Sequence, residues 1–361
     1  MGGARGEVHQ ILGAFHPGDA VGNEARAIQA HLRRDGYASE VFAGWIDPRL
    51  ADQARPLSEY PRRTGAVTLL HFAAGSPANR MAFHAAHRLV CIYHNVTPAR
   101  FFRGLSAEHV RLSHQGRREL AALAGRAELA LGVSEFNRRE LEQAGFRRTG
   151  VLPYVFDFSE YRQPPSAVVR RLYRDRLTNL LFVGRLVPNK RIEDLIRVLA
   201  EYQRCYDRRS RLFLVGDDRA IATYRHRLAE LAAALGVESV VFAGHVEHDE
   251  LLAYYSQAQV FLCLSEHEGF GVPLVEAMHL GVPVIAYDAG AVAETLRGGG
   301  ILLKDKQAEM VAGIVWQVVS DPEFRRAVLA TQERAMAELL RIDYGALIME
   351  RLDPVLGSGA A

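Results

Sequence analysis

Two carboxylates, two cations and a histidine stand in this chain where strands give way to loops and helices. Their types suit an anionic ligand that also carries hydroxyls. The densest stretch reads LSEHEGFGVPLVEAMHLGVP over residues 264–283. An apolar strand is expected to end at Leu264, and a loop with Gly269 and Gly271 follows. Pro273 sits where a helix would start, its missing N–H costing nothing there. Loop glycines let a ligand approach the backbone, and free N–H groups at a helix start favour an anion. Glu268 falls in the loop and Glu276 in the helix, with seven residues between them. Facing a phosphate they would repel it. They better accept hydrogen bonds from hydroxyls on a neutral part of the ligand, as an acidic residue does for a ribose. Taken alone, each is equally readable as a solvated charge.

A second junction, VGRLVPNKR at 183–191, ends a strand at Gly184 and places Arg185 and Lys190 in the following loop. Such a pair can clamp a diphosphate, Arg by its fork and Lys as a point charge, although most Arg and Lys are plain surface charges. A third loop, GAFHPGDAVGN at 13–23, carries Gly13, Gly18 and Gly22 ahead of a helix. These glycines do not make G-x-G-x-x-G, which counts against an NAD enzyme, and the chain has no Walker A motif. His94 follows the apolar run RLVCIY. It reads either as a ligand-facing side chain at a strand's carboxyl end or as a hydrogen-bonded loop histidine.

The elements that must hold these residues are legible. A chain of 361 residues suggests two domains. With 49% apolar and 24% charged residues it is neither a disordered tail, a disulfide mini-protein nor a collagen-like rod. No window reaches the length of a spanning helix. The start Met1-Gly-Gly-Ala-Arg shows no signal-peptide core, and Gly6 stands where a myristoylation motif on Gly2 would want Ser or Thr. Cys91, Cys205 and Cys263 lie far apart in or near apolar stretches and read as buried thiols in a reducing cytoplasm. Residues 1–160 hold 20 Arg, no Lys and 16 acids, too slight an excess to argue for nucleic acid. It leaves room for a basic face toward an anionic membrane or a phosphorylated acceptor. Arg100-Phe-Phe-Arg103 is one such edge, the alternative being two buried rings with solvated neighbours.

Apolar strand-like runs fall at 7–15, 38–43, 66–72, 88–93, 127–133 and 149–152, then at 179–184, 211–215, 239–243, 259–264 and 282–286. Helical periodicity fills gaps at 23–35, 106–125, 135–145, 191–206, 219–235, 248–257, 273–280, 306–320 and 322–342. Alternating β and α with apolar strands predicts α/β architecture, namely two doubly wound, Rossmann-like parallel sheets covered on both faces. The proline- and arginine-bearing stretch 153–178 is the linker candidate. The expected domains are 1–155 and 156–339, with a C-terminal helix in 340–361 packing back on the first. Ligands of such sheets bind at the carboxyl ends of strands, so the natural site is a cleft between the two domains.

The segments EGFGVPLVEAMHLGVPVIA, VGRLVPNK, FAGHVEHDEL at 242–251 and AGAVAETL at 289–296 resemble the retaining glycosyltransferases of family four, which have the GT-B fold. The resemblance is strong over 179–303 and looser before 160. The carboxylate spacing matches that family's E-x7-E motif. By this resemblance Glu268 contacts the donor sugar's hydroxyls, Glu276 the nucleotide ribose, and Arg185 and Lys190 the pyrophosphate. His245 and Val246 hold the base through their backbone. His94 lines the sugar site, and Gly18 and Gly22 pack beneath sugar and phosphate. Gly184, Gly269, Phe270, Gly271 and Val272 complete the donor-binding set, with His94, Glu268, Arg185 and Lys190 expected to act in catalysis. One departure is Gly290-Ala291, where the family has a double glycine before the position of Glu294.

The resemblance implies a hexosyltransferase of polysaccharide biosynthesis that needs no metal and no cofactor, the nucleotide-sugar being its substrate. The expected donor is GDP-mannose, because GDAVGN and IYHNVTPARFF look like bacterial surface-polysaccharide mannosyltransferases. UDP-glucose or another UDP-hexose is the runner-up. The expected acceptor is a glycan or lipid-linked hydroxyl, and the expected setting is cytoplasmic, with peripheral contact at the inner membrane face. The remaining alternatives are a GT-B enzyme of other chemistry, such as an epimerase or phosphorylase, and a nucleotide-sugar-binding module without transfer. Three lysines in unsuitable settings argue against a pyridoxal-phosphate-dependent phosphorylase.

Overall fold

The computed structural model describes residues 5–61, 65–85 and 88–357. Gly2 and the last four residues of the expected C-terminal helix therefore lie outside the described residues. The chain divides into two compact units. One holds Met1–Arg103, Ala107–Asp157 and Ile342–Ala361, and the other Gly104–Ser106 and Phe158–Arg341.

The first unit is built on strands β1 (Val8–Leu12), β2 (Val41–Ala43), β3 (Arg55–Pro56), β4 (Val67–Phe72), β5 (Arg88–Tyr93), β6 (Leu129–Gly132) and β7 (Thr149–Val151). They form one parallel sheet in the order β3-β2-β1-β4-β5-β6-β7. Every residue of β1 and β4 is buried, as a sheet covered on both faces requires. The helix Ala20–Arg34 opens on Asp19, whose carboxylate accepts from the Gly22 N–H at 3.2 Å, and closes before Gly36 at φ +87°. A C-terminal helix, Tyr344–Leu356, is capped by Asp343, which accepts from the Ala346 N–H at 3.0 Å. It lies against Ala20–Arg34, and Arg351 Nε donates to the Val151 carbonyl at 3.0 Å.

The second unit carries β8 (Thr178–Val183), β9 (Ser210–Val215), β10 (Val240–Gly244), β11 (Val260–Cys263), β12 (Val284–Tyr287) and β13 (Ile301–Leu303). These pair in parallel in the order β10-β9-β8-β11-β12-β13. In each sheet the order reverses once, between β1 and β4 and between β8 and β11. Those are the points where an open α/β sheet offers a crevice.

The strands fall where the apolar runs predict them. The two-residue β3, the three-residue β13 and the helices Pro77–Ala85 and Ala167–Leu172 have no counterpart in the reading of the sequence. Of these, β3, β13 and Ala167–Leu172 are too short for a periodicity to declare itself. The expected helix over 322–342 stops at Leu339. One thiol needs correction: Cys91 and Cys263 are buried, but Cys205 is exposed, because it ends the helix Ile192–Cys205 on its solvent side. Among the described residues no helix is long and apolar enough to cross a membrane.

Candidate functional site

In the second unit the two central strands deliver the charged residues. β8 ends at Val183, and Gly184 follows at φ +148°. Its carbonyl oxygen lies 2.3 Å from where a Cβ on Gly216 would stand, so the loop after β9 can pass only with glycine there. Arg185 is exposed. The chain then makes a single 3-10 turn, Pro188–Lys190, and Arg191 takes a left-handed φ of +53° before the helix Ile192–Cys205. Beside it, β11 runs into the loop of Glu266 to Gly271. Gly271, at φ +95°, opens the helix Val272–His279 with Pro273 in its first turn.

These two loops are stitched together. The Glu266 N–H donates to the Asn189 carbonyl at 2.8 Å, and Asn189 Nδ2 donates to the His267 carbonyl at 3.1 Å. Lys190 Nζ donates to both oxygens of Glu268, at 2.7 and 2.6 Å. The Glu268 side chain is 8% exposed and that of Lys190 21%. The pair is thus a largely desolvated ion pair, in which removing one partner strands the other's charge. From the other side Gly290 packs on Glu268 at φ +61°, and a Cβ there would sit 2.3 Å from the Glu268 carbonyl oxygen. The Ala291 N–H donates to that carbonyl at 3.0 Å. The Gly290-Ala291 departure noted in the sequence is therefore built into the support of Glu268.

Glu276 is buried in the helix Val272–His279. Tyr161 Oη donates to one of its oxygens at 2.9 Å and Tyr255 Oη to the other at 2.8 Å. Burial pushes its carboxyl up and the two phenols pull it back. Neither tyrosine is suggested by the sequence, since 115 residues separate Tyr161 from Glu276. Lys306 was also missed. Its Nζ reaches Asp194 at 2.9 Å and Glu266 at 2.7 Å, anchoring the base of the Glu268 loop. Gly269, Phe270 and Val272 are half-buried around this loop, and Thr295 Oγ1 donates to the Phe270 carbonyl at 2.6 Å. His245 is exposed and Val246 half-buried just beyond β10, two strands from β8.

In the first unit, Gly18 takes φ +66°, and Gly22 fits because a Cβ there would meet the Phe15 ring at 3.0 Å. Two residues on is Glu24, wholly buried, with the Val155 N–H donating to Oε1 at 3.0 Å. Among the described residues Oε2 has no hydrogen-bond partner. It lies 3.5 Å from His94 Nε2 and 4.0 Å from His71 Nδ1. His94 Nε2 and His71 Nδ1 are 3.0 Å apart, and His71 Nε2 is 2.8 Å from Gln10 Oε1. Burial pushes Glu24 up to about 8 and holds His94 down at about 3, with His71 well below the ordinary histidine range.

Glu24, His71 and His94 offer ligand atoms close enough to hold a cation. The ring geometry favours a hydrogen bond instead. The rings are 22° from parallel with centroids 5.2 Å apart, which is the 3.0 Å N···N gap plus the two ring radii. The two nitrogens therefore face each other along one line. A transition metal between them would need about 2.0–2.1 Å to each, more than that line holds.

The parallel sheets, each doubly wound, and the charged loops at the carboxyl ends of β8 and β11 define a two-unit α/β protein of GT-B architecture. Residues 173–334 match the family model described as glycosyl transferases group 1. An uncharacterized glycosyltransferase of Methanocaldococcus jannaschii is 31% identical over 193 residues, 52% of this chain and 48% of that one. The GDP-mannose-dependent alpha-(1-6)-phosphatidylinositol monomannoside mannosyltransferase of Mycobacterium tuberculosis is 33% identical over 184 residues, 47% of this chain and 46% of that one. The chain thus spans about half the length of the curated relatives it matches. Among solved structures, Anabaena HepE in complex with UDP and glucose aligns with a TM-score of 0.72 at 22% identity, covering 98% of this chain and 100% of that one. At that identity the likeness speaks for the fold.

Proposed function

We propose that this protein transfers a hexose, with retention, from a nucleotide-diphosphate sugar to a hydroxyl of a glycan or lipid-linked acceptor. The observation that carries the reading is the second unit's switch point. There a largely desolvated Lys190–Glu268 pair, an exposed Arg185 and a glycine-opened helix meet at the ends of β8 and β11. The match of residues 173–334 to glycosyl transferases group 1 covers these loops.

Glycosyl transfer builds positive charge at the anomeric carbon and negative charge on the departing diphosphate. Arg185, Lys190 and the N–H groups at Val272–His279 would stabilise the leaving group, the role a metal plays elsewhere. Lys190 would do so by turning from Glu268 toward phosphate, freeing Glu268 to accept from sugar hydroxyls. Glu276 would meet the ribose, exchanging a tyrosine partner for a hydroxyl. His245 and Val246 would serve the base, and His94, Gly18 and Gly22 the sugar. No metal or cofactor enters this reading.

GDP-mannose is the favoured donor, in keeping with the name of the Mycobacterium tuberculosis relative. A UDP-hexose is the alternative, in keeping with the ligands of Anabaena HepE. A nucleotide-sugar-binding protein without transfer is the third reading. The proposed setting is cytoplasmic, with peripheral contact at a membrane face. Arg100 and Arg103 are exposed around a half-buried Phe101 and a buried Phe102 there. Flotation with anionic liposomes tests that contact, and salt-insensitive absence of binding refutes it.

A thermal-shift panel of GDP, UDP, ADP and their sugars tests the donor, since a ligand at 100 times its Kd adds about 2.7 kcal/mol. Release of the free nucleoside diphosphate with an acceptor present tests the transfer. Stabilisation by one nucleotide-sugar without any release would favour the binding module.

A further inference from the structure

β1 and β4 pair so that Gln10 stands opposite Leu69. Gln10, Leu69 and His71 therefore share one face of the sheet, because side chains alternate along a strand. The helix Ala20–Arg34 covers that face, since Gln10 Nε2 donates to the Ala25 carbonyl at 2.8 Å. That bond fixes the amide's orientation: a carbonyl can only accept, so the NH2 end faces Ala25 and Oε1 faces His71. Oε1 in turn can only accept, so His71 Nε2 carries a hydrogen. A neutral His71 then has a bare Nδ1, and the proton between the two rings must belong to His94 Nε2. Burial keeps His71 neutral, and the other steps follow from donor and acceptor inventory.

We propose that Gln10 and His71 are positioning residues that hold His94 as its Nε2–H tautomer, presenting Nδ1 as a bare hydrogen-bond acceptor. This rests on the reading that His94 meets the donor sugar. It adds which kind of group His94 takes there: a hydroxyl that donates, rather than a phosphate oxygen or carbonyl that accepts. Nδ1 has no hydrogen-bond partner among the described residues, and the His94 side chain is 8% exposed. The Phe72 carbonyl accepts from the His94 N–H at 2.9 Å, so its backbone is pinned to β4 as well. Glu24 faces both rings, its Oε2 3.5 Å from His94 Nε2 and 4.0 Å from His71 Nδ1. As a carboxylate it would draw protons toward both nitrogens, more strongly toward the nearer His94 Nε2.

Long-range 15N–1H correlation spectra of 15N-histidine-labelled full-length protein, without ligand, test the tautomers directly. Loss of signals in His94→Ala and His71→Gln assigns the two rings. The expected wild-type result at pH 7 is Nε2–H on both, with Nδ1 unprotonated. A His94 protonated at Nδ1, an averaged His94 signal, or a doubly protonated His71 overturns the proposal. His71→Gln keeps the polarity of the chain, since its amide can accept from His94 and donate to Gln10. It should retain the His94 tautomer and most of the turnover. His71→Leu should average the tautomer and lower kcat at least tenfold with nucleotide affinity kept. Should His71→Leu fail to fold, the wild-type and His71→Gln spectra still decide. The spectra do not depend on turnover. An unchanged rate in His94→Ala beside the expected tautomers would remove the sugar-contact reading alone.

Discussion

Glu24 gives the sharpest physical test, because its environment sets both a sign and a size. The carboxyl is wholly enclosed, takes one backbone N–H and, among the described residues, has no cation beside it, so its proton leaves only at about pH 8 in the folded chain, against an ordinary value of 4.5. The folded state therefore binds a proton that the unfolded state has already lost. Its stabilising contribution is complete below pH 4.5 and disappears as pH rises through about 8. The facing groups, His71 and His94, are neutral in the folded chain and take up protons on unfolding near pH 6.5, a slope shared by wild type and Glu24→Gln that cancels between them. From pH 6.5 to 9 the loss is the distance from 6.5 to about 8, roughly 2 kcal/mol at 1.36 kcal/mol per unit.

Glu24→Gln removes the titration while keeping an acceptor for the Val155 N–H. The chain's two tryptophans fall one in each unit, Trp45 in the first and Trp316 in the second. In a Trp316→Phe background, urea unfolding followed at Trp45 reports the first unit. The wild-type curve should fall by about 2 kcal/mol over that range relative to Glu24→Gln. Below pH 6.5 the two histidines, protonated only on unfolding, should cost both proteins stability. Parallel curves for wild type and variant between pH 6.5 and 9, or a variant less stable at pH 9, would refute the reasoning.

Four further outcomes are expected. Glu276→Gln should weaken donor binding while Glu268→Ala mainly lowers kcat, and equal, purely KM effects would contradict their separate stations. Arg185→Ala and Lys190→Ala should each cost about 2–4 kcal/mol of transition-state stabilisation, with the double variant below the sum and chelator without effect; activity near wild type in both, or lost to chelator and restored by Mg²⁺ or Mn²⁺, would overturn this. Lys190→Ala should also cost stability, because it leaves the Glu268 carboxylate buried without its cation, and Lys190→Ala with Glu268→Gln should recover part of it in a thermal melt. Gly290→Ala should destabilise by more than about 1 kcal/mol, from its left-handed backbone and its contact with the Glu268 carbonyl, and a neutral melt would count against the tight seat described for that loop.

Sheet architecture was legible because it is written in short-range pattern. Runs such as LLFV and FLCL can bury on both faces only in a covered parallel sheet, and Gly271 with Pro273 marks a helix start locally. The charged loops were legible for the same reason, each lying directly after its strand. What escaped depends on contacts between distant positions. Nothing near Tyr161 or Tyr255 says that both hydroxyls will end on Glu276. Nothing near Lys306 says that it will tie Asp194 to Glu266. The first unit's polar chain did leave a signal. His9 and Gln10 in VHQIL, and Thr68 and His71 in VTLLHF, interrupt apolar strands. A polar side chain in a strand buried on both faces must find partners, but which pairs with which is set by the register: His71 meets Gln10, while His9 and Thr68 take Glu40 and Tyr60.

The placement of both polar clusters has a common cause. Along most of a doubly wound sheet, each crossover helix covers the face over its own pair of strands. Where the strand order reverses, successive crossovers leave toward opposite faces, and the loops at the carboxyl ends part. Polar groups on those loops can stay open to a ligand, while those on the strands themselves, such as Gln10 under the helix Ala20–Arg34, are buried and must be paired. In the second unit that point lies between β8 and β11, whose loops carry Lys190 and Glu268. In the first it lies between β1 and β4, which carry Gln10 and His71. The two clusters differ in what each leaves open. Lys190 and Glu268 satisfy each other's charge, so a ligand that binds both must offer an anion and a donor together. The Gln10–His71–His94 chain directs its ring hydrogens inward and leaves His94 Nδ1 as an acceptor, so what meets it there must bring its own hydrogen.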